Sequence, residues 1–293
     1  MKTINNLIYG YIVGDSFGLS KLNISEFDNE VKLKFNESLN IEKGTFSIMT
    51  TNLLATMDSI GEIKDIDIED ILNKLCTSMI VGKYTTNGKV YCIDDETLNV
   101  LNYFSKKNNF NYILNDNNLS AYPLSRVIPI CIYDFYTNDL FDNLKNVISI
   151  TSDNEIVHLG CYILYKYIIN LMEGKNKYKS LKIKIPSSFS NELVNNYKRI
   201  LKGQISYNDL IFDDNIINVL NIVFYVILNS DNYLDMFNMI SNFEGNINIY
   251  SSLICSIGGL LYGKENIPNN LVKDLKNKKD INKYIRKFER VFI

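Results

Sequence analysis

The apolar residues of this chain recur mostly at the three- and four-residue spacing of helices, with little of the strict alternation that marks strands. That spacing predicts helices over residues 45–60, 68–81, 95–106, 155–172, 215–229, 233–241, 247–261 and 280–291. The 68–81 segment opens on acidic residues and stops at Gly82, which suits the left-handed turn past a helix C-terminus. Asp94 or Asp95 stands where the 95–106 helix would take its N-cap. In 155–172, Ile156, Leu159, Ile163, Tyr167 and Leu171 fall along one face. Residues 31–35 and 181–185 alternate apolar and charged positions and read as short strands or extended loops, too little for a sheet. The longest apolar stretch, 216–228, carries Asn218 and Asn221 and is shorter than the roughly 20 residues of a membrane span, so it predicts a buried core helix. Long loops are expected near 20–44, 82–94, 106–122 and 173–190, and there is no repeat of fixed period. The pattern predicts an all-α fold, one compact multi-helix domain over residues 1–293.

Composition narrows this picture. With 293 residues, 46% apolar and 22% charged, the chain suits a globular fold able to bury a sizeable core. A formal net charge of −2 gives no overall basic field, so nucleic acid is not an expected partner, and neither is a membrane. There is no Trp, but 20 Tyr and 15 Phe assign the aromatic packing largely to Tyr. Five cysteines lie dispersed without C-x-x-C spacing, the pattern of reduced buried thiols in a cytoplasmic protein. The first residues, Met1 to Asn6, lead into an apolar run interrupted at Gly14-Asp15, too short and too polar for a signal peptide.

Candidate chemistry is sparse. Asp15, Asp94 and Asp153 are the acids placed to act in a cleft, each with a structural alternative. Asp15 suits a carboxylate bonding to backbone between packed helices. The run Asp94-Asp95-Glu96-Thr97 suits a helix first turn, where acidic side chains complement the macrodipole. His158 is the sole histidine, so a serine-type triad would have to use it, and on an otherwise apolar helix it reads as a packed or surface residue. Gly82 and Gly88 bracket a loop that either approaches a phosphate through its amides or simply turns tightly. The basic residues between 175 and 184 read as a solvated loop.

Ordered motifs add more. The N-terminal segment carries Gly10-Tyr11-Ile12-Val13-Gly14-Asp15-Ser16-Phe17-Gly18. Gly44-Thr45-Phe46-Ser47-Ile48-Met49-Thr50 comes next, then Gly82-Lys83-Tyr84-Thr85-Thr86-Asn87-Gly88-Lys89-Val90-Tyr91 with Cys92-Ile93-Asp94, Thr97 and Leu101. Asn118-Leu119-Ser120 and Leu124-Ser125-Arg126-Val127-Ile128-Pro129 follow, with Ile150-Thr151-Ser152-Asp153 ahead of a long helix. Late in the chain stand Gly245-Asn246-Ile247-Asn248-Ile249 and a helix ending Gly258-Gly259-Leu260-Leu261-Tyr262-Gly263. Together these resemble the ADP-ribosylglycohydrolases, over about residues 4–265.

That resemblance implies an all-α fold and, in active members, a dinuclear magnesium centre that orients ADP-ribose and a water. The middle and late motifs would supply its carboxylates. Here Ser47 and Thr50 remain, Ile48 and Met49 stand at two carboxylate positions, and Asn246 and Asn248, next to Ile249, replace two late aspartates. The family's glutamate falls near Leu22, with Glu26 the nearest acid. Magnesium wants hard oxygen ligands, which Ile lacks and the Met thioether replaces poorly. No metal or other cofactor is therefore expected. The remaining ligand-binding candidates are Gly82, Tyr84, Thr85, Gly88, Asn118, Ser120 and Gly245. The resemblance implies a pseudoenzyme that keeps recognition of ADP-ribose or an ADP-ribosylated protein. The alternatives are a metal-independent hydrolase of an N-glycosidic bond, and an interaction protein with a collapsed cleft.

Overall fold

The computed structural model describes residues 2–23, 30–137 and 142–293. The helices in chain order are α1 (Lys2–Lys21), α2 (Ile48–Ile63), α3 (Ile68–Val81), α4 (Asp95–Lys107), α5 (Val127–Thr137), α6 (Asp142–Ile148) and α7 (Glu155–Met172). They continue as α8 (Asn191–Asn196), α9 (Lys198–Lys202), α10 (Ile216–Asn229), α11 (Tyr233–Ile240), α12 (Ile247–Tyr262), α13 (Asn269–Asp274) and α14 (Lys278–Glu289). No strand occurs among the described residues, only isolated bridges such as Ser120 with Asn215. Segments 31–35 and 181–185 are therefore non-strand, the second beginning at the end of a 3₁₀ turn. None of the described helices is long and apolar enough to cross a membrane.

The helix ends follow local chemistry. Asp67, Asp94, Asn154, Asn215 and Asn232 each cap a helix by accepting from backbone amides two or three residues on. Gly82 ends α3 at φ +68°, as expected from its position. The expected helix over 45–60 begins later, at Ile48, because Ser47 is its N-cap and keeps extended backbone. Helices α1 and α5 are absent from the periodicity reading, α1 because it is buried on nearly every side and α5 because Pro129 lies inside it. Proline is tolerated there because it sits in the first turn, where its missing N–H has no partner to lose. The short helices α6, α8, α9 and α13 carry too few turns for a periodic signal and are held by packing.

Helices α1 and α12 make the closest pair. Gly10, Gly14 and Gly18 line one side of α1 at four-residue spacing. A Cβ at Gly10 or Gly14 would lie 2.1 Å from the carbonyl oxygen of Cys255 or Ser251. A Cβ at Gly259 would lie 2.0 Å from the Asn6 carbonyl. The backbones touch, and hydroxyls stitch them, Ser251 Oγ to the Gly14 carbonyl at 2.7 Å and Ser256 Oγ to the Leu7 carbonyl at 2.9 Å. The N-terminal glycine motif is thus a packing seam, and it delivers Asp15 and Asn248 to the same point. Helices α2, α5, α7 and α10 share one continuous apolar core with this pair.

Candidate functional site

Asp15 projects from the seam and is completely buried. Its Oδ1 accepts from Ser47 Oγ at 2.6 Å, and its Oδ2 accepts from the Ser47 and Thr50 amides, each at 3.0 Å. Those amides belong to the start of α2, where backbone donors have no partner within the helix. Asp15 therefore caps α2 from a different helix, and its charge suits the positive end of the α2 dipole. Ser47 Oγ also accepts from the Met49 amide at 3.1 Å and from Asn248 Nδ2 at 3.1 Å. Motifs from the beginning, middle and end of the sequence thus meet at one hydroxyl. Burial lifts the Asp15 carboxyl to about 6, against hydrogen bonds from Ser47 and Thr50 that favour the charge.

At the positions where the resemblance implies metal carboxylates, Ile48 and Met49 have no solvent exposure and belong to the main core together with Phe46. Asn248 Oδ1 is buried without a hydrogen-bond partner, and the Thr50 hydroxyl lies beside the Asp15 carboxyl. Asn246 is half-buried at the head of α12 and forms no side-chain cap, and Ile249 is fully buried. Gly245 is exposed at φ +69°, over the Phe212 carbonyl. The one carboxylate at this point, Asp15, already accepts three protein hydrogen bonds. No group of three or more His, Cys, Asp or Glu gathers elsewhere among the described residues. These residues do not fit a dinuclear magnesium centre, which needs hard anionic ligands in near-octahedral array. Glu26 lies outside the described residues. Leu22 is buried with Leu19 and Ile41 in a small separate apolar cluster, against which Tyr91 and Cys92 pack. The Ile48 amide donates to the Tyr91 carbonyl at 2.8 Å, so the loop after the Gly82–Gly88 turn lies across the start of α2. Burial and the Asp15 charge push the Cys92 thiol up to about 12, which keeps it unreactive.

The other candidates are used locally. Gly82 faces Gly88, whose Cα would sit 2.3 Å from an added Cβ. Thr85 Oγ1 donates to the Gly82 carbonyl at 2.6 Å and accepts from the Gly88 amide at 2.9 Å. Tyr84 is buried, and its hydroxyl donates to Asp58 at 2.6 Å. Asn118 accepts from the Ser120 amide, and Ser120 Oγ from the Tyr122 amide. Asp94 caps α4 through Oδ1, while its Oδ2 is buried without a partner. Burial holds the Tyr122 phenol well above its ordinary pKa, with smaller contributions from Cys92, Asp94, Asp214 and Asp15. Asp153 stands apart, exposed on the rim of a groove of about 280 Å³ between α3, α4 and α6. Behind it His158 shares a hydrogen bond with the Ser152 carbonyl at 2.9 Å, and burial lowers its pKa.

Two buried charged groups lie outside the site candidates that the sequence offers. Arg126 is fully buried, with Nε on the Val147 carbonyl, Nη2 on Thr151 Oγ1 and Nη1 unpartnered. Asp58 joins Tyr84, Lys83 and Lys287 across α2, the 82–91 loop and α14. Only the Arg126 motif position was visible beforehand; nothing local pairs residue 58 with residue 287.

The ADP-ribosylglycohydrolase family model matches residues 3–292. A solved structure described as an ADP-ribosylglycohydrolase-related protein complex superposes with a TM-score of 0.80 at 13% identity, covering 100% of this chain and 99% of that one. At that identity the likeness speaks to the fold. No curated protein matches the sequence. With a family model spanning nearly the whole chain over the same helical fold, this protein belongs to the ADP-ribosylglycohydrolase family.

Proposed function

We propose that this chain is a non-hydrolytic member of its family, in which the metal-binding pole has become packed core and function rests on protein interaction. The observation that carries this reading is the state of residues 47–50: Ile48 and Met49 are sealed in the core, and Ser47 and the Thr50 amide are tied to Asp15. A metal-independent hydrolase needs a protonatable acid that meets substrate. Asp15 has a raised pKa but no exposed surface, and its oxygens are engaged. A second reading, recognition of ADP-ribose or an ADP-ribosylated protein without metal, draws support from the unpartnered Asn248 carbonyl oxygen.

Calorimetric titration with ADP-ribose, with and without magnesium, separates the readings. The interaction reading expects no heat under either condition. Binding that ignores magnesium would replace it with the recognition reading. Binding that requires magnesium would overturn both and call for hydrolase assays.

A further inference from the structure

The chain's charge is unevenly placed. Residues 273–290 hold eight basic and three acidic side chains, in a protein whose net charge is −2. The basic residues divide by direction. Those turned toward the domain bind oxygen: Lys276 pairs with Glu42, Lys287 with Asp58 and Glu62, and Lys278 donates to the Lys273 carbonyl. Lys279, Lys283, Arg286 and Arg290 are exposed, and none joins an ion pair among the described residues. They stand at i, i+4, i+7 and i+11, so they form one stripe about 16 Å long on α14 and its terminal turn. The acids nearest them are few. Asp280 is exposed beside Lys279, and Glu289 accepts from Asn5.

We propose that this stripe is a docking surface for an acidic protein segment, with carboxylates repeating every three to four residues along a helix. A straight row of four cations matches a linear partner of that period. Its inward-facing sister, Lys287, already binds two carboxylates, so the helix is built for that chemistry. The same face is poorly made for other polyanions. It carries no exposed aromatic ring for base stacking, since Tyr284 packs on Tyr84 at 5.1 Å. The apolar residues of α14, Ile281, Ile285 and Phe288, are buried in the core and give a bilayer nothing to insert. The surface lies near the Asp58 end of α2, while Asp15 meets the opposite end, so its test does not depend on whether ADP-ribose binds.

The test is fluorescence anisotropy with a labelled helical peptide bearing glutamates at i, i+4, i+7 and i+11, titrated at low and at moderate salt. The expected result is salt-sensitive binding that weakens at least tenfold in the variant combining Lys279→Glu, Lys283→Glu, Arg286→Glu and Arg290→Glu. A second variant with glutamine at the same four positions should weaken binding with an unchanged melting temperature, which guards against misfolding. Equal binding by the native protein and both variants overturns the proposal. So does tighter binding to duplex DNA or to phosphatidylserine vesicles than to the peptide.

Discussion

Two buried aspartates brace the two ends of α2, and they are held in opposite ways. Asp15 is fully enclosed and accepts only from neutral donors, the hydroxyl and amide of Ser47 and the amide of Thr50. Asp58, 3% exposed, accepts from Tyr84 and from two cations, Lys287 at 2.6 Å and Lys83 at 3.3 Å. Burial raises the carboxyl in both cases. Only at Asp58 do the lysines and the tyrosine outweigh it and hold the pKa below the ordinary range. Neutral hydrogen bonds fix the position of a buried charge, but a counter-charge is needed to make it favourable. Asp15 is thus a positional device that costs stability when ionised, and Asp58 is a clamp that contributes it.

The largest test removes what places Asp15. Gly14→Ala sets a Cβ against the Ser251 carbonyl, and it should cost about 3 kcal/mol or more in urea unfolding. A change within about 0.5 kcal/mol would mean the seam has slack and Asp15 is located by something else.

Next comes Met49→Asp. It buries a carboxylate in the core beside Asp15, and should destabilise by about 3 kcal/mol or more. Magnesium is expected not to restore the melting temperature. Restoration would show that residue 49 faces a metal site after all.

The pH dependence follows from the Asp15 shift. In the unfolded chain the group titrates near its ordinary 3.8, and in the folded protein at about 6. Between those values the folded state holds the extra proton, so this group's contribution falls as pH rises, by about 3 kcal/mol in all. His158, with a lowered pKa, works in the opposite sense as pH drops below its ordinary value of 6.5. Comparing the native protein with Asp15→Asn isolates the first effect. The variant should lack the loss between about pH 4 and 6, and equal slopes would refute the shift.

Asp58→Asn should cost about 2 kcal/mol at pH 7, discounted because Lys287 and Lys83 are 32% and 43% exposed and regain water. The Asp58 contribution is present above about pH 4 and lost as pH falls through its depressed pKa. Lys83→Gln is the smallest change, about 0.5 kcal/mol by thermal melting. A larger loss there than for Asp58→Asn would invert the account of the clamp.

The two aspartates also differ in how legible they were. Asp15 sits in a glycine-spaced motif, and the structural alternative read for it, a carboxylate bonding to backbone between helices, is the geometry found. Most long helices were readable because their apolar faces repeat over three or more turns, and Asp94 declared its own cap; α1, the longest, is buried on nearly every side and was marked by its glycine motif instead. Asp58 carried no such mark, because its partners lie 25 to 229 residues away and pairing at that range leaves no local period. The same holds for Arg126, whose partners come from the end of α6 and the α6–α7 connection. Helix α5 was hidden by a proline whose meaning depends on which turn it occupies.

The seam between α1 and α12 also sets an order of events in synthesis. Helix α1 is made well before α12, and the backbone it must touch begins at Ile247. At 5–20 residues per second, its glycine-lined side waits on the order of 10–50 s for that partner. Through that interval α2 and α5 can cover part of α1, but its glycine-lined side has no native surface to cover it. The protein's exposure to aggregation and its need for chaperones should therefore be set less by final stability than by how long the ribosome takes to reach residue 262.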